Sequence, residues 1–188
     1  TMLFGATSVE SVVITFERRV GSLERLLMAP LNISSLILGK IMGGVLFGLV
    51  SGLIVLLLAV LFLGAKVSNW MNLCGIMVLS AFCFSALGAF VSVAVKEVFE
   101  AMTLSNFFRF PMLFLCGVFF PLAALPTALK PIAFLLPLTY AVDGMRSLMA
   151  IPGALLSVPG NLILLFIFSL IVTIATVRTF IRRLDMTY

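Results

Sequence analysis

The sequence contains no histidine, and this absence removes several kinds of catalytic site. A serine nucleophile activated by histidine, the paired histidines of zinc proteases and a histidine-ligated haem all require that side chain. Cysteine is also scarce, since Cys74, Cys83 and Cys116 are the three present, and all lie in apolar runs. Thiols in such surroundings pack as small hydrophobic groups. We therefore expect neither a metal site nor a catalytic residue in this chain.

Charge is equally scarce: charged residues make up 10% of the 188 residues, whereas roughly 25% is usual in a soluble domain. Hydrophobic residues make up 63%, and the mean hydropathy is +1.30. This composition excludes a water-soluble enzyme, a disordered tail and a disulfide scaffold, and it leaves an integral membrane protein. The net charge of +5 then reports orientation in a membrane rather than binding to nucleic acid.

Four apolar stretches are long enough to cross a bilayer, which takes about 20 residues. They cover residues 41–63, 71–95, 101–120 and 159–177, and the first helix can begin earlier, near Ser34. Each is expected to be a helix, because a spanning segment must satisfy its own backbone hydrogen bonds, and the alternating pattern of a barrel strand is absent. The predicted fold is an all-α integral membrane protein, a polytopic helical bundle that forms one transmembrane domain over residues 1–188.

Residues 1–16 are largely apolar but contain Glu10, and they look like the end of an earlier span whose beginning is missing. Thr1 is not an initiator residue, so the chain is expected to lack its N-terminal part. The alternative is a start at Met2 with a short interfacial helix. No basic region precedes the apolar run, so no cleavable signal is evident.

Basic residues predict the orientation, because cytoplasmic loops of membrane proteins are enriched in lysine and arginine. If the four spans alternate, eight basic residues share one side: Arg18, Arg19, Arg25, Lys40, Lys96, Arg178, Arg182 and Arg183. Three lie on the other side: Lys66, Lys130 and Arg146. We therefore expect a multi-pass protein of the cytoplasmic (inner) cell membrane, with loop 17–40, loop 96–100 and the C-terminus in the cytoplasm.

An amphipathic helix is predicted over residues 16–30, between two spans. Phe16, Val20, Leu23 and Leu27 recur at helical spacing and form one apolar face, and Pro30 ends the helix. One interpretation is an interfacial helix that lies on lipid. The other is a docking helix for a soluble partner. Periodicity alone leaves both open.

The residues of this loop resemble those of a known family. Residues 17–31 read Glu-Arg-Arg-Val-Gly-Ser-Leu-Glu-Arg-Leu-Leu-Met-Ala-Pro-Leu, and Gly39-Lys40 follows. This is similar to the loop of type-2 permeases of ATP-binding-cassette (ABC) exporters, although Ser22 stands where threonine is commoner. Further matches in the same order resemble the family's C-terminal half, and they lie at residues 105–111, 117–122 and 136–146. The family's first span and most of its second are absent here.

The resemblance implies a permease subunit that pairs with a second permease copy or paralogue and is driven by a separate cytoplasmic ABC ATPase subunit. ATP and Mg would be bound by that partner, and this chain would bind no cofactor. The ATPase would dock on residues 16–30 as a coupling helix. The implied docking residues are Glu17, Arg18, Val20, Gly21, Leu23, Glu24 and Leu27. Gly39-Lys40 is not a phosphate-binding loop, because Ser34 and Ile41 replace residues that the motif requires.

Arg109 falls inside the predicted span 101–120, where a central arginine costs about 3 kcal/mol on insertion. It either faces the interior of a bundle or a transport pathway, or its side chain extends to the cytoplasmic surface. Asn106, one turn earlier, is a possible polar neighbour.

A second feature is a glycine stripe, Gly44, Gly48 and Gly52, that allows close helix packing. A weaker stripe of small residues comprises Ala81, Ser85 and Ala89.

Residues 121–158 contain five prolines among apolar residues, so they are too broken for a span and too apolar for an exposed loop. We predict an external re-entrant hairpin of two short helices that dips into the outer leaflet, and the resemblance agrees. Thr139 can cap the second helix, and Asp143 and Arg146 are spaced to pair on one face. With Tyr140 they are the residues of interest here, and the element either packs the spans or closes the outward exit.

The leading interpretation is an exporter permease that moves substrate across the membrane by alternating access. An intramembrane enzyme is disfavoured, because Glu10, Glu97, Glu100 and Asp143 are scattered and histidine is absent. A membrane scaffold or accessory subunit without transport remains open. No residue reports the chemistry of the substrate.

Overall fold

The structure, a computed structural model, describes residues 2–27, 32–64, 66–95, 97–119, 122, 125–149 and 151–185. Within these ranges every regular element is helical and no strand forms, which confirms the predicted all-α class. The helices are α1 (Met2–Arg19), α2 (Ser22–Leu27), α3 (Ile33–Leu63), α4 (Trp70–Ala94), α5 (Val98–Leu115), α6 (Lys130–Phe134), α7 (Pro137–Leu148) and α8 (Val158–Asp185).

Three of the described helices are long and apolar enough to cross a bilayer, namely α3, α4 and α8. They lie over the predicted spans 41–63, 71–95 and 159–177. The 31 residues of α3 extend about 46 Å, so this helix is longer than the roughly 30 Å hydrocarbon core. Local residues set its end and the start of the next helix: Gly64 adopts a left-handed conformation after α3, and the Asn69 side chain caps α4.

The fourth predicted span, 101–120, differs from expectation. Its helix, α5, ends at Leu115, and its 18 residues extend about 27 Å. Glu100, Asn106 and Arg109 also make it less apolar than the other three. Among the described helices, α5 is therefore long enough to span but is not as apolar as the three candidate spans.

The centre of the bundle is α4, which packs against α8, α1 and α3. It buries Leu73, Ile76, Phe84 and Val91 almost completely. The glycine stripe of α3 packs on α1 and α4, since a Cβ atom at Gly48 would lie 3.0 Å from Ala6 Cβ and 3.4 Å from Ala81 Cβ. The stripe therefore serves helix packing within this chain.

The prediction of a single helix over residues 16–30 is wrong for residues 16–27, which the structure describes. α1 continues through Phe16 to Arg19, the chain turns at Val20 and Gly21, and α2 begins at Ser22. Gly21 has a φ of 75°, a left-handed conformation that glycine adopts without the steric penalty of a side chain. The expected apolar face is therefore divided between two helices, and residues 28–30 lie outside the described part of the chain.

The segment 121–158 contains two short helices, α6 and α7, as its proline pattern predicts. Thr139 does not cap α7, which starts at Pro137 with Leu136 in the N-cap position. The Thr139 hydroxyl instead donates to the carbonyl oxygen of Ala133 in α6. The two helices are thereby joined through a side chain rather than capped by it.

Candidate functional site

The turn between α1 and α2 is closed by its own backbone. The amide of Val20 donates to Phe16 O at 3.0 Å, and that of Gly21 donates to Arg18 O at 3.2 Å. The Ser22 hydroxyl also donates to Glu17 O at 3.3 Å. The Ser22 hydroxyl thus ties the start of α2 to the end of α1.

Glu17 and Arg18, which were predicted to face a docking partner, bind other helices of the same chain. The Glu17 carboxylate forms an ion pair with Lys40 on α3, and both side chains are about one-fifth exposed. The Arg18 guanidinium donates to the carbonyl oxygen of Val95, at the end of α4, at 3.0 Å. The end of α1 is therefore fastened to α3 and α4 at once.

Beside these contacts lies an exposed apolar patch, which we call the α1–α2 surface and define by Phe16, Val20 and Leu26. Phe16 is 56% exposed, Val20 is 60% exposed and Leu26 is 37% exposed. Leu26 lay off the face inferred from periodicity and was not predicted to be part of an apolar surface. The backbone of α2 includes the other predicted docking residues, Leu23, Glu24 and Leu27, whose side chains lie outside the described structure.

Glu10 lies where α1 crosses α3 and α4, and its side chain is 3% exposed. A Cβ atom at Gly44 would approach Glu10 Cγ to 2.5 Å, and one at Gly88 would approach Glu10 Cβ to 3.0 Å. Its Oε2 atom accepts no hydrogen bond from the described part of the chain. From the sequence alone, Glu10 is one of several scattered acids, and its position opposite Gly44 is visible only in the structure.

Arg109 is buried, with 4% of its surface exposed, and its guanidinium donates to the Asn106 side chain at 3.2 Å. The structure therefore places the side chain in the protein interior, whereas Asn106 is exposed. This enclosed position agrees with the alternative in which Arg109 faces the interior of the bundle. Because α5 packs chiefly against α1, we place this buried charge on a helix whose main neighbour is α1.

Tyr140, Asp143 and Arg146 of α7 bind three different parts of the chain. The Tyr140 hydroxyl donates to the carbonyl oxygen of Phe134, and the Arg146 guanidinium donates to Gly117 O at 2.6 Å. Asp143 and Arg146 do not form the expected pair. Asp143 is instead 1% exposed and accepts from the amides of Leu155 and Leu156 and from the Asn161 side chain.

These contacts attach α7 to the end of α5 through Arg146 and to the start of α8 through Asp143. The distances from Asp143 to its three donors are 2.8, 2.9 and 2.9 Å, which are typical of good hydrogen bonds. The partners of Asp143 lie 12 to 18 positions further along the chain. Helix periodicity predicts only contacts between residues three or four positions apart, so it could not predict these hydrogen bonds.

An apolar cavity of about 330 Å³, which we call the α3–α7 cavity, lies between α3, α4, α5 and α7. Its walls include Val55, Ala59, Met77, Phe84, Val118 and Met145. Ser80 supplies the one polar side chain of the lining, and its hydroxyl has no hydrogen-bond partner in the described structure. No cluster of described side chains has the composition to hold a metal ion.

Comparison with known proteins agrees with the residues that suggested a family. The profile of the ABC-2 type transporter family matches residues 1–150. "ABC transporter G family member 20" of Dictyostelium discoideum is 32% identical over 145 residues, which are 77% of this chain and 20% of that protein. "Inner membrane transport permease YadH" of Escherichia coli K12 is 29% identical over 131 residues, which are 70% of this chain and 50% of that protein.

The chain thus spans a fifth to half of the length of these relatives. The family match covers both the loop motif and the downstream motifs from which membership was predicted, and that prediction is confirmed. With its long apolar helices, the molecule is a multi-pass membrane protein, and the chain belongs to the ABC-2 type transporter family.

Proposed function

We propose that this chain forms part of the permease subunit of an ABC exporter, which moves substrate across the cytoplasmic membrane while a separate ATPase subunit hydrolyses ATP. The permease pairs with a second copy or a paralogue. The chain itself performs no catalysis and binds no cofactor, and ATP and Mg are held by the ATPase. The relatives named as a transporter and a transport permease support this proposal.

One observation carries the proposal: the α1–α2 surface is exposed while the residues beside it are fastened to the bundle. Phe16 and Val20 present apolar side chains outward, whereas Glu17 and Arg18 bind α3 and the end of α4. A partner that moved this surface would pull on three helices through short polar contacts. Such an arrangement suits transmission of ATPase closure to the membrane helices.

The same contacts support a cytoplasmic position for this end of the bundle and for the end of α8. Phe180 near the C-terminal end of α8 belongs to the buried cluster that includes Ile14, Ile37 and Val93. The end of α8 therefore lies beside the end of α1, the start of α3 and the end of α4. We infer that this end faces the cytoplasm, since basic residues concentrate on that side of membrane proteins.

The α1–α2 surface is tested by Val20→Asp, with Val20→Leu as the matched control that keeps the surface apolar. Burial of a valine contributes about 2 kcal/mol, so a charge there should weaken docking roughly thirtyfold. We expect Val20→Asp to reach normal levels in membranes, to lose the ATPase that co-purifies with the tagged wild-type chain and to lose Mg-ATP hydrolysis. Val20→Leu should retain both.

Two outcomes contradict the proposal. If Val20→Asp keeps its ATPase but detaches the surface from lipid, residues 16–27 form an interfacial anchor. If no ATPase accompanies the wild-type chain and no substrate accumulates across membranes that contain it, the chain is a scaffold or accessory subunit without transport.

A further inference from the structure

The α3–α7 cavity is suited to a hydrocarbon chain rather than to a polar ligand. Its volume of about 330 Å³ lies at the lower end of the range of small-molecule sites, which is roughly 300–1,000 Å³. Apart from the Ser80 hydroxyl, every side chain of the lining is apolar. A polar ligand would leave its own groups without partners here, at a desolvation penalty that the site does not offset.

The methionines of the lining favour a flexible occupant. Met77 comes from the central helix α4, Met145 comes from α7, and Met149 directly follows α7. The thioether side chain is unbranched and adapts its shape to irregular apolar partners. These residues let the wall follow a chain that has no fixed conformation.

The mouth of the cavity lies in an exposed apolar surface. Val55 and Val118 line the cavity and are 45% and 40% exposed. The part of α3 next to Val55 is exposed and apolar at Leu53, Ile54 and Leu58. A mouth in such a surface opens sideways into the hydrocarbon core of the bilayer rather than into water.

A cationic side chain lies beside the cavity. Arg146 follows the lining residue Met145, and its guanidinium binds Gly117 O, next to the lining residue Val118. A guanidinium has five N–H donors in a planar fork that matches the geometry of a phosphate. The bond to Gly117 uses one of these donors.

We propose that the α3–α7 cavity binds one acyl chain of a membrane phospholipid, with the phosphate of that lipid at Arg146. The lipid would fill the space between α3 and α7 and would contact Leu113 near the end of α5. Apolar burial holds the chain, and the charge on Arg146 selects a phosphate over an uncharged polar group.

The test uses the protein in phosphatidylcholine nanodiscs that carry a trace of a phospholipid with a diazirine near the middle of one acyl chain. After illumination, peptide mass spectrometry locates the adducts. We expect adducts on the lining, with Met77 and Met145 among the labelled residues. Ala59→Phe places a ring in the cavity, and exclusion of about two methylene groups should reduce this labelling about tenfold.

Leu58→Phe is the matched control, since Leu58 neighbours Ala59 on the same helix but does not line the cavity and is 49% exposed. Its lining adducts should equal those of the wild type. If Ala59→Phe does not elute as a folded protein, Ala141→Leu fills the same cavity from α7. A diacylglycerol with the same photoreactive chain, which lacks the phosphate, should label the lining several-fold less.

Three results would overturn the proposal. The first is an absence of adducts on the lining residues. The second is equal labelling in wild type and in a folded cavity-filling variant. The third is equal labelling by the phospholipid and the diacylglycerol, because the occupant would then be recognised without its phosphate.

Discussion

The two long helices α3 and α4 are both strongly apolar, yet they occupy opposite environments. In the most apolar stretch of α3 the mean hydropathy is 3.0 and 11% of residues are buried. The corresponding values for α4 are 2.2 and 72%. The less apolar helix is therefore the central one, which is the reverse of the order in a water-soluble protein.

Small and weakly polar residues explain this difference. α4 buries Ser80, Ala81, Ser85, Ala86 and Gly88, whereas the exposed face of α3 is rich in leucine and phenylalanine. Lipid tails are as apolar as leucine, so apolar side chains gain little by leaving lipid for protein. Close backbone approach and hydrogen bonds between helices decide which helix lies inside.

The largest expected effect breaks the close approach of α1 and α4. A Cβ atom at Gly88 would lie 2.5 Å from the Thr7 carbonyl oxygen, so Gly88→Val must force the two helices apart. We expect a loss of about 3 kcal/mol in the free energy of unfolding. Gly39→Val on α3 is the control, because no atom lies within 4 Å of a Cβ there.

Thermal unfolding of the purified variants in lipid nanodiscs, followed by helical circular dichroism, measures both effects. Equal stability of Gly88→Val and Gly39→Val would show that close packing does not set the central position of α4.

A second variant extends the comparison to α8, whose exposure resembles that of α3. The most apolar stretch of α8 is 22% buried, but its Asn161 is fully buried against Asp143. Asp143→Asn keeps the shape and removes the charge that accepts three hydrogen bonds. We expect a loss of about 2 kcal/mol, the usual worth of a hydrogen bond to a charged group.

Denaturation in mixed micelles measures the change in the free energy of unfolding of Asp143→Asn. The same measurement on Arg146→Lys tests how strongly the bond to Gly117 O holds α7. Unchanged stability in Asp143→Asn would mean that the attachment of α7 to α8 is apolar. Hydrogen exchange at the Leu155 and Leu156 amides should accelerate in the variant, since both donate to Asp143.

The smallest expected effect concerns hydroxyl groups on α4. The Ser85 hydroxyl donates to Ile41 O of α3 at 2.6 Å, so Ser85→Ala should lower stability by about 0.6 kcal/mol, the average for such bonds in membrane helices. Ser80→Ala is the matched control, because the equally buried Ser80 hydroxyl has no described partner and its removal should leave stability unchanged or raise it. Equal losses in the two variants would contradict this distinction.

The sequence by itself determined the class of the protein and the position of most helices. Long apolar runs must form helices in a bilayer, since no water is present to satisfy the backbone, and this holds for α3, α4 and α8 whatever their neighbours are. Proline spacing likewise predicted two short helices within 121–158. The loop and downstream motifs predicted the family, because their residue types and order are specific.

Tertiary structure decided the rest. Periodicity predicted one helix that carries Phe16, Val20, Leu23 and Leu27, but the left-handed turn at Gly21 divides it into two helices. Leu26, which periodicity did not place on the apolar face, is exposed. Tertiary packing also pairs Glu17 with Lys40, two residues that lie far apart in the chain.

The sequence also could not predict which polar side chains are buried or which groups they bind. Glu10 and Arg109 each fall in an apolar run, and only the crossing of helices shows that both side chains are enclosed. Asp143 and Arg146 have the spacing of an ion pair, yet each binds a different partner. Asp143 accepts hydrogen bonds from α8 and from the loop before it, and Arg146 donates to the carbonyl oxygen of Gly117. Spacing along a helix determines which side chains can meet within it, whereas packing of helices determines which of them do.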